Sequence, residues 1–286
     1  MAWVESYTVN GTSFDNSRFA IHRVEQTVPG LKGGNLVPAM DHGSQWRKKR
    51  LSSRSEMWNI WVTDNQPDDA ASLPGLPPAT EAARRAQFHA NWDEVMGILL
   101  TTHAASSTEN SGGDAYEAPL QVVRKMKRDT SSPADTYWVN YGEMSQAPSV
   151  PDYQNFAWAS FDARIGYHDP RWYECDSSGD KTASTLTADG NPGGTAIMTR
   201  MTIALASATN PEITNNTTGS KLKYSGTGAV TFDTTNFTAF SGSTNVTGDV
   251  DRTGSTTTDW FELRPGVDND FSSNTTFTIT YTKAYI

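Results

Sequence analysis

Short segments of alternating apolar and polar residues are the main pattern in this sequence. Residues 3–9 alternate with a period of two, which indicates a β-strand, and Asn10-Gly11 then favours positive φ. The sequence therefore predicts a hairpin turn at Asn10. Further strands are predicted at residues 19–24, 121–127, 137–141 and 156–166, with two longer strands within 36–63 joined near Ser52 and Ser53.

One segment has the spacing of an amphipathic helix. It begins at Thr80, a good N-cap residue, and continues to about Leu100. The apolar stripe of this helix contains Phe88, Trp92, Val95 and Leu99, while Arg84, Arg85 and Glu94 can stay in contact with water. We therefore expect one long helix that packs on a sheet.

The composition changes near residue 174. From there the chain is rich in Thr, has no helical pattern, and contains short runs such as 198–203 between Gly, Asn and Asp turns. No repeat of about 20–50 residues is present, which argues against a propeller or solenoid. We predict a mainly β protein with an α+β N-terminal domain at 1–173 and a β-sandwich at 174–286.

Composition limits the classes of function. The chain has 286 residues, a net charge of −9 and 36% hydrophobic residues, which is typical of a globular protein and argues against extensive nucleic-acid binding. Cys175 is the single cysteine, so an intrachain disulfide is impossible, and we expect it to be incidental. The N-terminus lacks a signal-peptide pattern and the apolar run at 95–100 is too short to span a bilayer, so we expect cytoplasmic assembly.

Motifs for catalysis are missing. The five histidines, at positions 22, 42, 89, 103 and 168, do not have metal-site spacing. The sequence contains neither a G-x-S-x-G elbow nor a phosphate-binding loop. We therefore expect no enzyme activity, no cofactor and no metal, although sequence alone leaves open a pair of loop carboxylates at glycosidase separation.

A basic run, Arg47-Lys48-Lys49-Arg50 with Arg54, lies next to Trp46. Contact with DNA is one interpretation, and a solvated edge strand is a second. The third is a subunit interface with acidic residues 64–69 of a neighbouring copy. The acidic total favours an edge or an interface over DNA.

Trp260 is the candidate aromatic in the C-terminal half. Alternation places Phe261 and Leu263 on the opposite face from Trp260, and we expect that pair to face the core. Trp260 would then be exposed or at an interface. An exposed Trp can stack on a sugar ring, but a ligand pocket also needs convergent polar groups.

Several segments together resemble the distal tail proteins of siphophages, especially those of actinobacterial phages. They are the loop Pro29-Gly30-Leu31-Lys32-Gly33, the strand Gly43-Ser44-Gln45-Trp46-Arg47-Lys48-Lys49, the helix 84–100, the junction Asp169-Pro170-Arg171-Trp172-Tyr173, and C-terminal segments 210–215, 222–224, 260–269 and 277–281. One position departs from the family: Leu31 follows Gly30 where the family usually has Arg. An interface role of that Arg therefore does not carry over.

The resemblance implies a structural virion protein at the distal end of the tail, without catalysis. Residues 1–173 would form a hexameric ring and residues 174–286 a galectin-like sandwich. The implied partners are further copies, the tail tube protein, the tail-tip hub, the tape-measure protein, and fibre or receptor-binding proteins, with no membrane and no sequence-specific nucleic acid.

The resemblance also suggests where contacts lie. The implied assembly interface comprises Pro29, Gly30, Lys32, Gly33, Trp46, Arg47, Lys48 and Lys49, and the domain junction comprises Asp169, Pro170, Trp172 and Tyr173. The short loops after residue 174 leave no room for an inserted carbohydrate-binding module. The alternative function is a β-sandwich carbohydrate-binding protein for attachment to the host cell wall, with Trp260 as the contact.

Overall fold

The computed structural model describes residues 3–26, 31–32, 50–51, 53–68, 74–100, 120–127, 136–146, 157–167, 169–257 and 259–286. The chain divides into two compact units, Met1–Pro170 with Asp176–Gly179 and Arg171–Cys175 with Asp180–Ile286. The described elements are mainly antiparallel strands, which confirms the predicted fold class at that level.

The first unit is built on one antiparallel sheet with a helix beside it. Its elements are β1 (Trp3–Val9), β2 (Thr12–Ser13), β3 (Phe19–Gln26), β4 (Leu31–Lys32), β5 (Arg50–Leu51), β6 (Arg54–Thr63), α1 (Glu81–Leu100), β7 (Leu120–Lys127), β8 (Thr136–Gln146) and β9 (Trp158–Tyr167). Seven strands follow the order β2-β1-β7-β8-β9-β6-β3, and β4 pairs with β5. The long strands therefore lie side by side, although they are distant in sequence.

The turn at Asn10-Gly11 confirms the predicted hairpin. Asn10 and Gly11 have φ of 49° and 80°, and the flanking residues Val9 and Thr12 pair across the turn. Both central residues need positive φ in a type I′ turn, which Asn and Gly adopt readily. The chain reverses here within two residues.

Strict alternation in β6 and β9 separates a buried face from an exposed one. In β6 the inward residues are Arg54, Glu56, Trp58, Ile60 and Val62, and in β9 they are Ala159, Phe161, Ala163, Ile165 and Tyr167. Successive side chains of a strand point to opposite faces. Two charged residues of β6 are thus carried into the interior together with its apolar residues.

Helix α1 packs on the sheet as its pattern predicted. The Thr80 Oγ1 accepts a hydrogen bond from the Ala83 amide at 3.3 Å, which caps the first turn. All four residues of the predicted stripe, Phe88, Trp92, Val95 and Leu99, are buried. The Trp92 ring lies 4.9 Å from that of Phe161 in β9, so the helix and the sheet share one core.

Polar contacts orient the same helix. The Asn91 amide donates to the carbonyls of Thr63 and Asn65, at 2.8 Å each. Arg84 pairs with Asp64, and Glu94 pairs with Arg18. Arg84 and Glu94 are therefore half-buried in ion pairs, and of the three charged residues that the sequence placed outside the apolar stripe only Arg85 is exposed.

The regular elements among the described residues of the second unit are strands and one 3-10 turn at Thr247–Asp249. Its strands are β10 (Trp172–Cys175), β11 (Ala183–Leu186), β12 (Met201–Thr209), β13 (Glu212–Asn215), β14 (Ser220–Tyr224), β15 (Thr227–Asp233), β16 (Thr238–Ser241), β17 (Thr244–Asn245), β18 (Val250–Asp251), β19 (Phe271–Ser273), β20 (Phe277–Thr282) and β21 (Ala284–Tyr285). The predicted all-β character of this half is confirmed for its described residues.

Two antiparallel sheets form the body of this unit. One has the order β11-β20-β12-β15-β16-β17, the other β18-β14-β13-β19, and β10 pairs with β21. Phe271 of the smaller sheet contacts Phe277 of the larger one with ring centroids 5.3 Å apart. Buried residues from both sheets, such as Ile203 and Ile213, supply the core.

Two expectations for this half were wrong in detail. The strand begins at Met201 rather than Met198, which forms only an isolated bridge to Leu263. Residues 260–262 are not in a strand. Phe261 and Leu263 are buried as predicted, but Glu262 is buried as well, because this irregular segment does not keep the alternation of a strand.

We expect Phe88→Ala to lower the free energy of unfolding of the first unit by about 3–5 kcal/mol, since it empties a fully buried site between helix and sheet. Denaturant unfolding of the whole chain measures this. Asp93→Ala, at an exposed position of the same helix, should change the free energy by less than about 0.5 kcal/mol. Equal effects of the two substitutions would contradict the packing described above.

Candidate binding surface on the N-terminal sheet

Three exposed aromatic side chains stack across neighbouring strands on the outer face of the first sheet. His22 of β3 lies 4.5 Å from Trp61 of β6, and Trp61 lies 5.6 Å from Trp158 of β9, measured between ring centroids. Trp61 is 40% exposed and Trp158 is 49% exposed. We call these three residues the aromatic row.

Strand register brings the row together. Trp61 pairs with Ser160 across β6 and β9, which places Trp158 diagonally beside it. The register between β3 and β6 shifts between Ile21 and Arg23, so His22 lies at a bulge. A bulge changes the direction of a side chain, and here His22 meets the face of Trp61.

Hydrogen bonds hold Trp61 in place although its ring faces water. The Trp61 Nε1 donates to the Asn59 Oδ1 at 3.0 Å, and the Asn59 Nδ2 donates to the Asp162 Oδ1 at 2.9 Å. Arg23, Asn59 and Asp162 lie directly opposite one another on three adjacent strands. We call these three residues the polar row; it runs beside the aromatic row.

A pocket of about 290 Å³ opens next to His22. Its polar lining includes Ser6, Asp15, His22, Arg23 and Gln26. Tyr7 and Phe14 contribute aromatic surface. His22 and Arg23 thus belong to the two rows and also line the pocket, at strand β3.

The inner face of the same sheet holds a buried ionic cluster centred on Glu56. The Glu56 Oε1 accepts from Arg124 and lies 3.6 Å from the Arg54 Nε. The Glu56 Oε2 accepts from the Trp58 Nε1 and the Tyr167 hydroxyl, at 3.1 Å each. Two guanidinium groups and two neutral donors therefore converge on one carboxylate.

Burial shifts the ionisation of the groups around Glu56. Burial raises the pKa of Tyr7 to about 12, although the Arg124 charge opposes the rise. Burial and the Glu56 carboxylate both raise the pKa of Tyr167, and burial lowers the pKa of Arg54. Both tyrosines thus keep their protons near neutral pH, and the Tyr167 hydroxyl donates to Glu56.

Within the described ranges, no three His, Cys, Asp or Glu side chains are placed to bind a metal ion together. None of the described helical residues forms a segment long and apolar enough to cross a membrane. His89 is exposed on the helix, and His42, His103 and His168 lie outside the described residues.

Comparison with known proteins gives matches in structure only. No family profile and no curated protein sequence matches this chain. The chain is similar in fold to the Dit protein (gp 19.1) of SPP1, described as a paradigm of the hub adsorption apparatus in phages infecting Gram-positive bacteria. The TM-score is 0.56 and the sequence identity is 14%. The alignment covers 98% of this chain and 99% of that chain. This chain has the fold of a phage Dit protein.

Two chains from the phage P2 baseplate in its activated conformation also align, one with Ca and one with Sr. Each covers 100% of both chains at 9% identity, with TM-scores of 0.39 and 0.36. The Dit fold agrees with the resemblance to distal tail proteins found in the sequence.

Of the predicted assembly interface, the structure describes only Lys32. Pro29, Gly30, Gly33, Trp46, Arg47, Lys48 and Lys49 lie outside the described residues. Lys32 is in β4 and pairs with Arg50 of β5. This pairing brings the start and the end of the segment 33–49 side by side.

The predicted junction residues fall on both units. In the first unit, the Asp169 carbonyl accepts from the Asn140 amide at 3.0 Å, and Pro170 is buried. In the second unit, Trp172 and Tyr173 are buried and pair with Tyr285 and Ala284.

The structure corrects Arg54, one residue of the basic run, and places two of the acids proposed as its partners. Arg54 is buried beside Glu56 and donates to Gln26, so it does not extend the surface basic run. Asp64 is buried in its ion pair with Arg84, and Asp68 accepts hydrogen bonds from the Ser17 and Gly75 amides. Asp64 is therefore occupied within its own chain, whereas Asp68 is exposed and Asp69 lies outside the described residues, so a contact of 64–69 with a neighbouring copy stays a prediction.

Trp260 is half-buried and packs edge-on against Phe237, with ring centroids 5.9 Å apart. Phe237 is 52% exposed and has a φ of 56°, unusual for a bulky side chain. Sequence reasoning chose Trp260 and missed Trp61 and Trp158 as surface residues. The signal for Trp61 was the alternation of β6. Trp58, Ile60 and Val62 occupy the alternate positions that face inward, so Trp61 must face outward.

We expect Glu56→Gln to lower the free energy of unfolding by about 3–5 kcal/mol, because it leaves two buried guanidinium groups without their counter-charge. Glu25→Gln is the matched control. Glu25 pairs with Arg23 at 2.7 Å on the surface, so its loss should change stability by less than about 1 kcal/mol. Urea unfolding near neutral pH compares the two variants, and similar losses would contradict a buried cluster.

The raised pKa of Tyr7 predicts a loss of stability at high pH. Above pH 10 the unfolded chain releases the Tyr7 proton, while the folded chain keeps it until about pH 12. Stability should therefore fall through this window, by about 2 to 3 kcal/mol for this group. Unfolding of Tyr7→Phe measured between pH 9 and 12 should show a smaller fall than the unchanged protein, and parallel curves would refute the assignment.

Proposed function

We propose that this chain is a structural subunit at the distal tip of a long-tailed phage, without catalytic activity. The observation that carries the proposal is the match to the SPP1 Dit protein over nearly the full length of both chains. The sequence motifs of the distal tail family support the same role independently. Both lines concern the whole chain and not a single domain.

In this proposal, copies of residues 1–173 form a hexameric ring and residues 174–286 form a galectin-like sandwich on it. The ring joins the tail tube to the tail-tip hub and to fibre or receptor-binding proteins, and the tape-measure protein passes through it. A symmetric ring repeats one pair of unlike surfaces around its axis. The protein would therefore act through its contacts with neighbours.

The segment around residues 28–49 is our choice for the ring contact. Lys32 pairs with Arg50, which directly follows the basic residues 47–49 in the sequence. On the neighbouring copy the acidic partner would come from residues 64–69, of which Asp68 is exposed and Asp64 is already paired with Arg84. The junction, residues 169–173, would be the covalent connection between the two domains.

Electron microscopy tests the proposal. The purified full chain, alone and mixed with the tail tube and hub proteins of the same phage, should give class averages of a six-fold annulus. The mixture is needed because some ring proteins assemble only when a partner is bound. In virions, gold-labelled antibody should mark the tail end away from the head.

Charge reversal provides the residue-level control. Substituting Glu for Arg47, Lys48 and Lys49 should abolish the annulus and leave the melting temperature unchanged, whereas the same reversal at Lys221 and Lys223 of β14 should not affect assembly. A protein that remains monomeric with its partners and is absent from virions would refute the proposal.

A further inference from the structure

We propose that the aromatic row, the polar row and the adjoining pocket of the first unit form a saccharide-binding site. The inference is independent of the ring, because it rests on side chains of the described sheet alone. The site would lie on β3, β6 and β9 of the first unit and does not include Trp260.

The aromatic row provides apolar surface of the right kind. Sugar rings have flat faces of C–H groups, which pack against indole rings. The faces of Trp61 are partly covered by His22 and Trp158, so the outer surface of Trp158, 49% exposed, is the larger open platform. The hydrogen bond from Trp61 to Asn59 fixes one ring before a ligand arrives, which reduces the entropy lost on binding.

The polar row supplies both donors and acceptors beside that platform. Asn59 uses one amide hydrogen and Asp162 one oxygen in their mutual bond, and each has a further hydrogen-bonding position. Arg23 adds guanidinium donors on the neighbouring strand. A sugar hydroxyl both donates and accepts hydrogen bonds. A row of guanidinium, amide and carboxylate groups on adjacent strands offers partners for both.

The pocket extends the site at its His22 end. Its volume of about 290 Å³ and its lining by Ser6, Asp15, His22 and Arg23 fit a small hydroxylated group. Tyr7 and Phe14 line the same pocket and give it two aromatic walls. Ligand sites in proteins combine apolar walls with a few convergent polar groups in this way.

The charges on this face favour a saccharide over a permanent protein interface. Arg23, Glu25, Asp162 and Arg164 are all exposed here, close to the aromatic row. The core of a stable protein interface is depleted of charged residues, because each must lose its water. A saccharide leaves most of these groups hydrated while it contacts the rings.

Glycan binding by the purified full chain tests the inference. The chain is applied to an array of bacterial cell-surface oligosaccharides and neutral hexose oligomers, and the strongest array ligand is titrated by calorimetry. We expect Trp158→Ala and Trp61→Ala each to weaken binding about tenfold, the scale of one lost aromatic contact. Asp162→Ala should also weaken binding, and Trp158→Phe should retain part of the affinity.

Phe240→Ala is the matched control, since it removes an exposed aromatic from the second unit and should leave affinity unchanged. Thermal unfolding of each variant shows that the sheet is intact. The inference fails if the chain binds nothing on the array, or if Trp61→Ala and Trp158→Ala bind as well as the unchanged protein. It also fails if these two substitutions disrupt assembly with tail proteins while glycan binding is absent, because the face would then be a protein interface.

Discussion

The first unit depends on one buried carboxylate. Glu56 lies on the inner face of the sheet, forms ion pairs with Arg54 and Arg124, and accepts hydrogen bonds from Trp58 and Tyr167. These four residues come from three different strands. Each of these groups would be costly to bury without a partner. The cluster therefore ties β6, β7 and β9 together and requires one register, since a shift by one residue would turn Glu56 out to solvent.

That register also determines what the sheet presents outside. Because Glu56, Trp58 and Ile60 face inward, Met57, Asn59 and Trp61 face outward on the same strand. The pairing of β6 with β9 then places Trp61 beside Trp158 and Asn59 beside Asp162. The buried ionic cluster and the exposed surface are two consequences of one strand alignment.

The second unit contains an irregular segment, residues 260–269, that connects β18 to β19 of the smaller sheet. Buried Asn215 donates to the Glu262 carbonyl at 2.8 Å and to the Asn269 Oδ1 at 2.9 Å, and Asn269 bonds both the amide and the carbonyl of Arg264. Side-chain amides replace the missing ladder bonds, so residues 260–269 are ordered without a strand. The burial of Phe261 and Leu263 follows from this support.

Local patterns in the sequence alone determined the turn at Asn10-Gly11, helix α1 with its buried stripe, the mainly β character, and the resemblance to the distal tail family. Each depends on residues close together in the chain, where backbone preference and periodicity act directly. Tertiary structure alone decided that Arg54 and Asp64 are buried in ion pairs, that Trp260 is half-buried, and that His22, Trp61 and Trp158 meet. These outcomes depend on which strands are neighbours in the sheet. The strands β3, β6 and β9, which carry residues 22, 61 and 158, are paired in the same long-range register that buries Glu56.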